Sequence, residues 1–294
     1  MTQPTQHVVA PRRRSFYLVT AILALALLAG CGAPATLKQR SGYWADQSVN
    51  APAYNHRVRF LVIHYTGGDT QRAFNVLTGP NVSTHYLVPP QPDRQGGEPV
   101  VYQLVPEAER AWQAGVSHWN GREQINDTSI GIEIVNQGPV DTNRLVQWYP
   151  FADGQIDAVI ALARDIVARY DIAPANVVGH SDIAPVRKQD PGEHFPWARL
   201  AQAGIGIWAD IEDLETPDVL GKGLSPGEQT AGVRQMQEQL QRIGYDLSPT
   251  GTFDDLTEAV VRAFQRRWLP DRISGAADIP TLRQIGVIQA LYAT

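Results

Sequence analysis

The sequence is short of three things, and each absence narrows the reading. Among 294 residues there is one cysteine, Cys31, so no intrachain disulfide can form. There is no excess of basic charge: 25 Lys and Arg stand against 30 Asp and Glu, a net charge of -5. Nothing therefore draws the chain electrostatically to nucleic acid or to an anionic membrane surface, and both are set aside as partners. Long apolar runs are also scarce. The charge-free stretch from Phe16 to Ala29 is too short for a comfortable membrane span. No solenoid-type repeat is visible.

What is present begins with an address. Arg12, Arg13 and Arg14 precede the apolar run, which matches the central region of a signal peptide. The run closes on Leu28-Ala29-Gly30-Cys31, which resembles a bacterial lipobox. An uncleaved anchor helix, or an ordinary signal peptide cut nearby, is the alternative. The resemblance implies a signal peptide over 1–30, lipidation of Cys31, and a short tether over 31–40. It places the mature chain in the periplasm, held by acyl chains. Gly32 after the cysteine, rather than an acidic residue, favours the outer membrane by the same analogy.

The remaining length suits two compact units. Over 41–210, strand-like and helix-like segments alternate, which predicts an α/β domain with a mixed central sheet flanked by helices. Arg57 to Ile63 is a near-continuous apolar run, as expected of a buried strand. Thr84–Val88 is a second strand candidate. In Ser129–Val135 the isoleucines share one face, and Gly131, Glu133 and Val135 share the other. Gln155 to Tyr170 has helical spacing, with Asp153 as its cap. Val177-Val178 begins another strand. Residues 211–229 are rich in Gly, Pro, Asp and Glu without a period and read as a linker. Residues 230–294 predict three helices, with Gly244 closing the first, near the size limit for independent folding.

Several residues stand out chemically. His64 and His180 occupy equivalent places at the ends of two strands, and such ends converge at one mouth of an α/β sheet. Asp190, ten residues past His180, is placed to fold back beside them. A hydrolytic zinc site needs three protein ligands and an open position. Taken singly, each histidine is as well explained as a hydrogen-bonded structural residue. Glu133 lies in an otherwise apolar strand, where a carboxylate must be paired, face a cavity, or sit on an exposed edge. Lys188 in isolation is an ordinary loop lysine.

Together these segments resemble the zinc-dependent N-acetylmuramoyl-L-alanine amidases related to phage lysozyme-type amidases. The likeness runs through Phe60–Thr66, Val82–Val88, Asn126–Glu133 and Gly179–Trp197, in order over some 150 residues. It is nearest to lipoprotein members with an accessory domain. It implies a sheet like that of peptidoglycan-recognition proteins. It implies Zn2+ held by His64, His180 and Asp190, with Glu133 as general base and Lys188 as oxyanion stabiliser. His85 and Trp119 would border the substrate groove. The substrate class is peptidoglycan or muropeptides, cut between N-acetylmuramic acid (or its anhydro form) and L-alanine during wall turnover or remodelling, by a monomer. One departure is Gln113 in Ala111-Trp112-Gln113-Ala114-Gly115, where relatives often carry His; it puts a groove contact in doubt. The C-terminal unit resembles a peptidoglycan-binding domain through Val233–Leu240, Gly244-Tyr245, Gly251–Phe253 and Phe264-Gln265. Rival readings are a recognition protein that binds without cutting and a tether between membrane and wall.

Overall fold

A computed structural model describes residues 36–142, 145–209 and 222–292. Cys31, the arginine cluster and the apolar run lie outside the described residues. So does most of the expected linker. No described helix is long and apolar enough to cross a membrane.

Residues up to Asn55 form a unit of their own. In it, strands β1 (Leu37–Arg40) and β2 (Tyr43–Asp46) pair antiparallel around Gly42, whose φ of +81° suits a tight hairpin turn. The end of the expected tether is thus a strand.

From His56 onward the chain is a second unit. The apolar run becomes strand β3 (Phe60–Tyr65), five of whose six residues are buried. It joins β4 (Tyr86–Val88), β5 (Tyr102–Gln103), β6 (Ser129–Ile134) and β7 (Val177–Gly179) in a sheet of order β7-β3-β6-β4-β5. All pairings are parallel except β4 with β5, so the sheet is mixed as the sequence predicts. Helix α1 (Thr70–Leu77) follows β3, its start capped by Asp69 Oδ1, which accepts from Arg72 N at 2.8 Å.

Each sheet face has its own cover. Leu61, Ile63, Ile130, Ile132 and Ile134 pack against Ile156, Val159, Ala163 and Ile166 of helix α2 (Asp153–Tyr170). Asp153 does not cap that helix, whose N-cap is Ala152. Arg199 instead draws the Asp153 carboxylate away with a 2.8 Å bond.

The opposite face, with Phe60, Val62 and Val178, is continuous with the core of the C-terminal helices. After the short helices α3 (His180–Ile183) and α4 (Trp197–Gln202) come α5 (Ala231–Ile243), α6 (Asp255–Trp268) and α7 (Ile279–Tyr292). Gly244 ends α5 with φ +132°, and a Cβ there would lie 2.7 Å from the Trp119 ring. Two residues outside the expected C-terminal domain nevertheless contact it. Leu224, expected in the linker, exchanges backbone bonds of 2.8 and 2.9 Å with Ala277 inside the helical unit. Trp208, expected in the sheet domain, stacks on Trp268 with centroids 5.7 Å apart.

Glu107 ties the far edge together. It accepts from both terminal nitrogens of Arg169 at 2.6 and 2.7 Å, and from the hydroxyls of Tyr86 and Tyr170 at 2.7 and 2.8 Å. Hydrogen bonds from Arg169, against the effect of burial, lower its pKa to about 2. A carboxylate depressed in the folded state stabilises above its unfolded pKa, near 4.5, and that contribution is lost as pH falls towards 2. Glu107→Gln is expected to cost roughly 1–3 kcal/mol at neutral pH. The gap from wild type should close near pH 2 in thermal melts, and a gap independent of pH would remove the charge from the explanation.

Candidate active site

Strand register assembles the site. Glu133 on β6 is level with His64 on β3, and Gly179 on β7 is level with Ile63. His180, one residue further, thus stands beside His64 at the carboxyl ends of the parallel strands. The turn after α3 returns Asp190 to them, with Ser181 N donating to Asp190 O at 2.9 Å.

Three donor atoms meet there. His64 Nδ1 and His180 Nδ1 are 3.0 Å apart, and Asp190 Oδ2 lies 2.9 and 3.1 Å from them. All three residues are buried. With each ring's proton on its outer nitrogen, the three atoms present converging lone pairs that one metal ion could share. Two imidazoles and one carboxylate are a donor set suited to zinc. Burial works against the charged form of Asp190, yet the adjoining imidazoles of His180 and His64 hold its pKa below the usual carboxylate range. Burial, then the adjacent His64, lowers the pKa of His180.

The outer ring nitrogens explain why both Nδ1 atoms are free to ligate. Gln113 Oε1, which can only accept, contacts His64 Nε2, so the proton of that ring resides on Nε2. The carbonyl of Ala114 takes the same part for His180 Nε2 at 3.1 Å. Both acceptors sit on one short segment. Asn126 Oδ1 pins it by accepting from the backbone N of Gln113 and of Ala114 at 3.1 and 2.7 Å. The Gln113 amide is oriented in turn by donating to Ser129 Oγ at 2.7 Å. Gly131 is required for this approach, because a Cβ there would lie 2.8 Å from Gln113 Cγ.

A cavity of about 180 Å3 opens at the cluster, lined among others by Glu133, His180, Lys188 and Asp190, with Arg72, Ser83 and Trp112 on its walls. Burial raises the pKa of Glu133 to about 7. Its Oε2 is buried with no hydrogen-bond partner among the described residues. Lys188 is exposed at the rim, on the turn whose backbone N–H groups at 187 and 188 donate to Ala184 O at 3.0 Å each.

Comparison with known proteins agrees with this geometry. The N-acetylmuramoyl-L-alanine amidase family matches residues 54–193, and a putative peptidoglycan binding domain matches residues 229–285. The chain is 44% identical over 269 residues to N-acetylmuramoyl-L-alanine amidase AmiD of Escherichia coli, covering 92% of this chain and 95% of the relative. The chain belongs to this amidase family. The structure of the E. coli protein in complex with the substrate anhydro-N-acetylmuramic acid-L-Ala-D-gamma-Glu-L-Lys superposes with a TM-score of 0.75 at 40% identity. It covers 87% of this chain and 98% of that one. AMPDH3 of Pseudomonas aeruginosa superposes with a TM-score of 0.68 at 34% identity, over 87% and 99% of the two chains.

Two residues expected at the groove of this amidase lie elsewhere. His85 is buried beneath the sheet edge, where its Nδ1 accepts from Gly131 N at 3.0 Å and its Nε2 donates to Glu109 O at 3.2 Å. Trp119 is 1% exposed, edge-on to Tyr245, and donates to Ala175 O at 3.0 Å. Neither lines the cavity, because each ring is used in packing. Gln113 carries the reverse correction. The doubtful groove contact is a support for His64, and the sequence offered only its departure from pattern as a signal. Ala114 gave none, since a backbone carbonyl has no side-chain signature, and Asn126 acts only through backbone N–H groups of a segment that the fold brings to it.

Loss of such outer partners weakens metal sites about 10–100-fold. Gln113→Leu is expected to lower zinc affinity by that order in a competition titration with a chromophoric chelator. Gln113→Glu, which keeps an acceptor, should retain more. Equal affinities for all three proteins would show that the contact does nothing for the ligand.

Proposed function

We infer that this amidase is a zinc hydrolase that cleaves the amide between N-acetylmuramic acid, or its anhydro form, and L-alanine of the peptidoglycan stem peptide. The observation that carries the reading is the pairing of a three-donor cluster with a buried, unpartnered carboxylate in one cavity. The E. coli relative that spans nearly the whole chain is seen with an anhydromuramyl peptide, which supports the substrate class. His64, His180 and Asp190 would hold the ion, which when bound polarises a carbonyl and makes water more acidic.

The protein's own groups do the rest. Glu133, with a pKa near neutrality, accepts a proton from the attacking water and returns it to the departing amine of L-alanine. Lys188 supplies positive charge at the cavity rim, where the carbonyl oxygen becomes an oxyanion. Gln113 and Ala114 keep the imidazoles in register through both steps. The C-terminal helices, by their match to a peptidoglycan-binding domain, hold the enzyme to the wall. Arg12–Arg14, the following apolar run and Leu28–Cys31 support lipid anchoring in the periplasm, at the outer membrane.

The test is mass spectrometry of a purified muropeptide incubated with the full chain. Stem peptide beginning at L-alanine and peptide-free saccharide should appear. Chelation should abolish both and added zinc should restore them. A cut within the peptide or between sugars, or chelator-resistant activity, would overturn the assignment.

A further inference from the structure

Gln113 steadies His64 and the carbonyl of Ala114 steadies His180. Asp190 needs support of its own, and its place is harder to hold. It lies on a turn whose preceding residues, 186–189, are exposed, while its carboxylate stays buried against two rings. Backbone bonds tie the turn to α3 and to itself. Ser181 N donates to Asp190 O, and Gly192 N to Gln189 O, each at 2.9 Å.

Further support comes from a two-stranded hairpin outside the central sheet, Pro139–Thr142 with Leu145–Trp148. Asn136 closes its base. The Oδ1 atom accepts from Gly138 N at 2.7 Å, and Nδ2 donates to Tyr149 O and Pro150 O at 3.1 and 3.2 Å. Trp148, at that base, lays its ring on the ligand turn. A Cβ at Gly192 would lie 2.6 Å from Trp148 Cζ3, so the indole rests on bare backbone two residues after Asp190. The same ring stacks on His194 and meets Tyr65 edge-on, with centroids 6.1 Å apart in both pairs. Tyr65 follows His64 in β3, and its hydroxyl accepts from Gln189 Nε2 at 3.2 Å. Asp190 is thus bracketed: Trp148 covers the residues after it and reaches the one before it through Tyr65. Trp148 is not among the residues that make up the apolar cores. Its contacts go to the two elements that carry His64 and Asp190.

We propose that Trp148 is a positioning residue that holds the Asp190 turn ready for the metal. Ordering a backbone costs conformational entropy. A turn ordered during folding does not charge that cost to metal binding, which is therefore tighter. The proposal rests on the zinc reading of the cluster and concerns how firmly the ion is held.

Trp148→Leu and Trp148→Phe, made in the full chain, test it by competition titration of zinc against a chromophoric chelator. The zinc Kd should rise about tenfold in Trp148→Leu. It should rise much less in Trp148→Phe, which keeps a ring over Gly192. Val146→Ala, at an exposed position of the same hairpin, should leave it unchanged. Metal-free Trp148→Leu should melt within a few degrees of wild type, and excess zinc should recover wild-type kcat on muropeptide. An unchanged Kd in Trp148→Leu, an equal rise in Trp148→Phe, or an equal rise in Val146→Ala would overturn the proposal. So would a kcat that stays low in excess zinc. An unfolded or much less stable metal-free Trp148→Leu would also overturn it, by showing that the ring serves the fold at large. Wild type that takes up no zinc would instead strike the metal reading itself.

Discussion

Glu133→Gln is expected to lower kcat on muropeptide by about 10²–10⁴-fold while the protein still binds its metal. The carboxamide has the size of the carboxylate, so the packing of β6 is kept. The three donors of the metal cluster belong to other residues. What disappears is a cavity carboxylate whose pKa, about 7, suits it to taking and returning a proton near neutrality. The pH profile gives the sign. The base form accumulates as pH rises through that value, so wild-type activity should climb along an acid limb that ends near or below pH 7. A cation in the neighbouring cluster would add to the lowering that His64 already exerts on Glu133. Stability should move the other way. A glutamate whose folded pKa is raised stabilises the fold only while protonated, and that contribution is lost as pH rises through about 7. In metal-free protein, Glu133→Gln should therefore melt higher than wild type at pH 8 and alike at pH 4. Wild-type turnover in this variant would remove Glu133 from the chemistry.

Arg267→Met is expected to destabilise the whole second unit by about 3–5 kcal/mol, since it leaves a buried carboxylate without its cation. Arg267 is 3% exposed. It donates to Asp182 Oδ2 at 2.7 Å and to Val177 O at 2.9 Å, and it lies over the rings of Trp197 and Trp268 at 4.2 and 4.7 Å. Asp182 also accepts from Tyr245 OH at 3.1 Å and from Gly179 N at 2.8 Å, at the start of the helix that bears His180. The melting temperature should fall by roughly 6–20 °C. For the same reason, removing residues after about 225 should cost activity on soluble fragments as well as on sacculi. Without α5–α7, the apolar groups on the His64 face of the sheet, Phe60, Val62 and Val178, lose their cover. The sequence alone, read as two separable domains, predicts that sacculus binding weakens more than cleavage of a soluble fragment slows. A truncated chain that melts like the full one and cleaves muropeptide normally would restore the separable-domain view.

The difference between those two expectations shows what each level of structure decided. Local chemistry was legible in the chain. The runs in β3 and β6 have the periods of buried strands. Glu133 falls on the Gly131 face by simple alternation, and Gly244 ends a helix because it alone reaches φ +132° without strain. Residue type also marked His64, His180 and Asp190 as potential ligands. Their convergence within 3.1 Å, across sequence gaps of up to 126 residues, is a product of strand register and of the turn after α3. The same holds for the partners that leave both Nδ1 atoms free, for the burial of His85 and Trp119, and for the core shared between sheet and C-terminal helices. These are contacts between residues far apart in the chain. Sequence fixes which groups exist and which face of an element they occupy, but packing decides what each face meets.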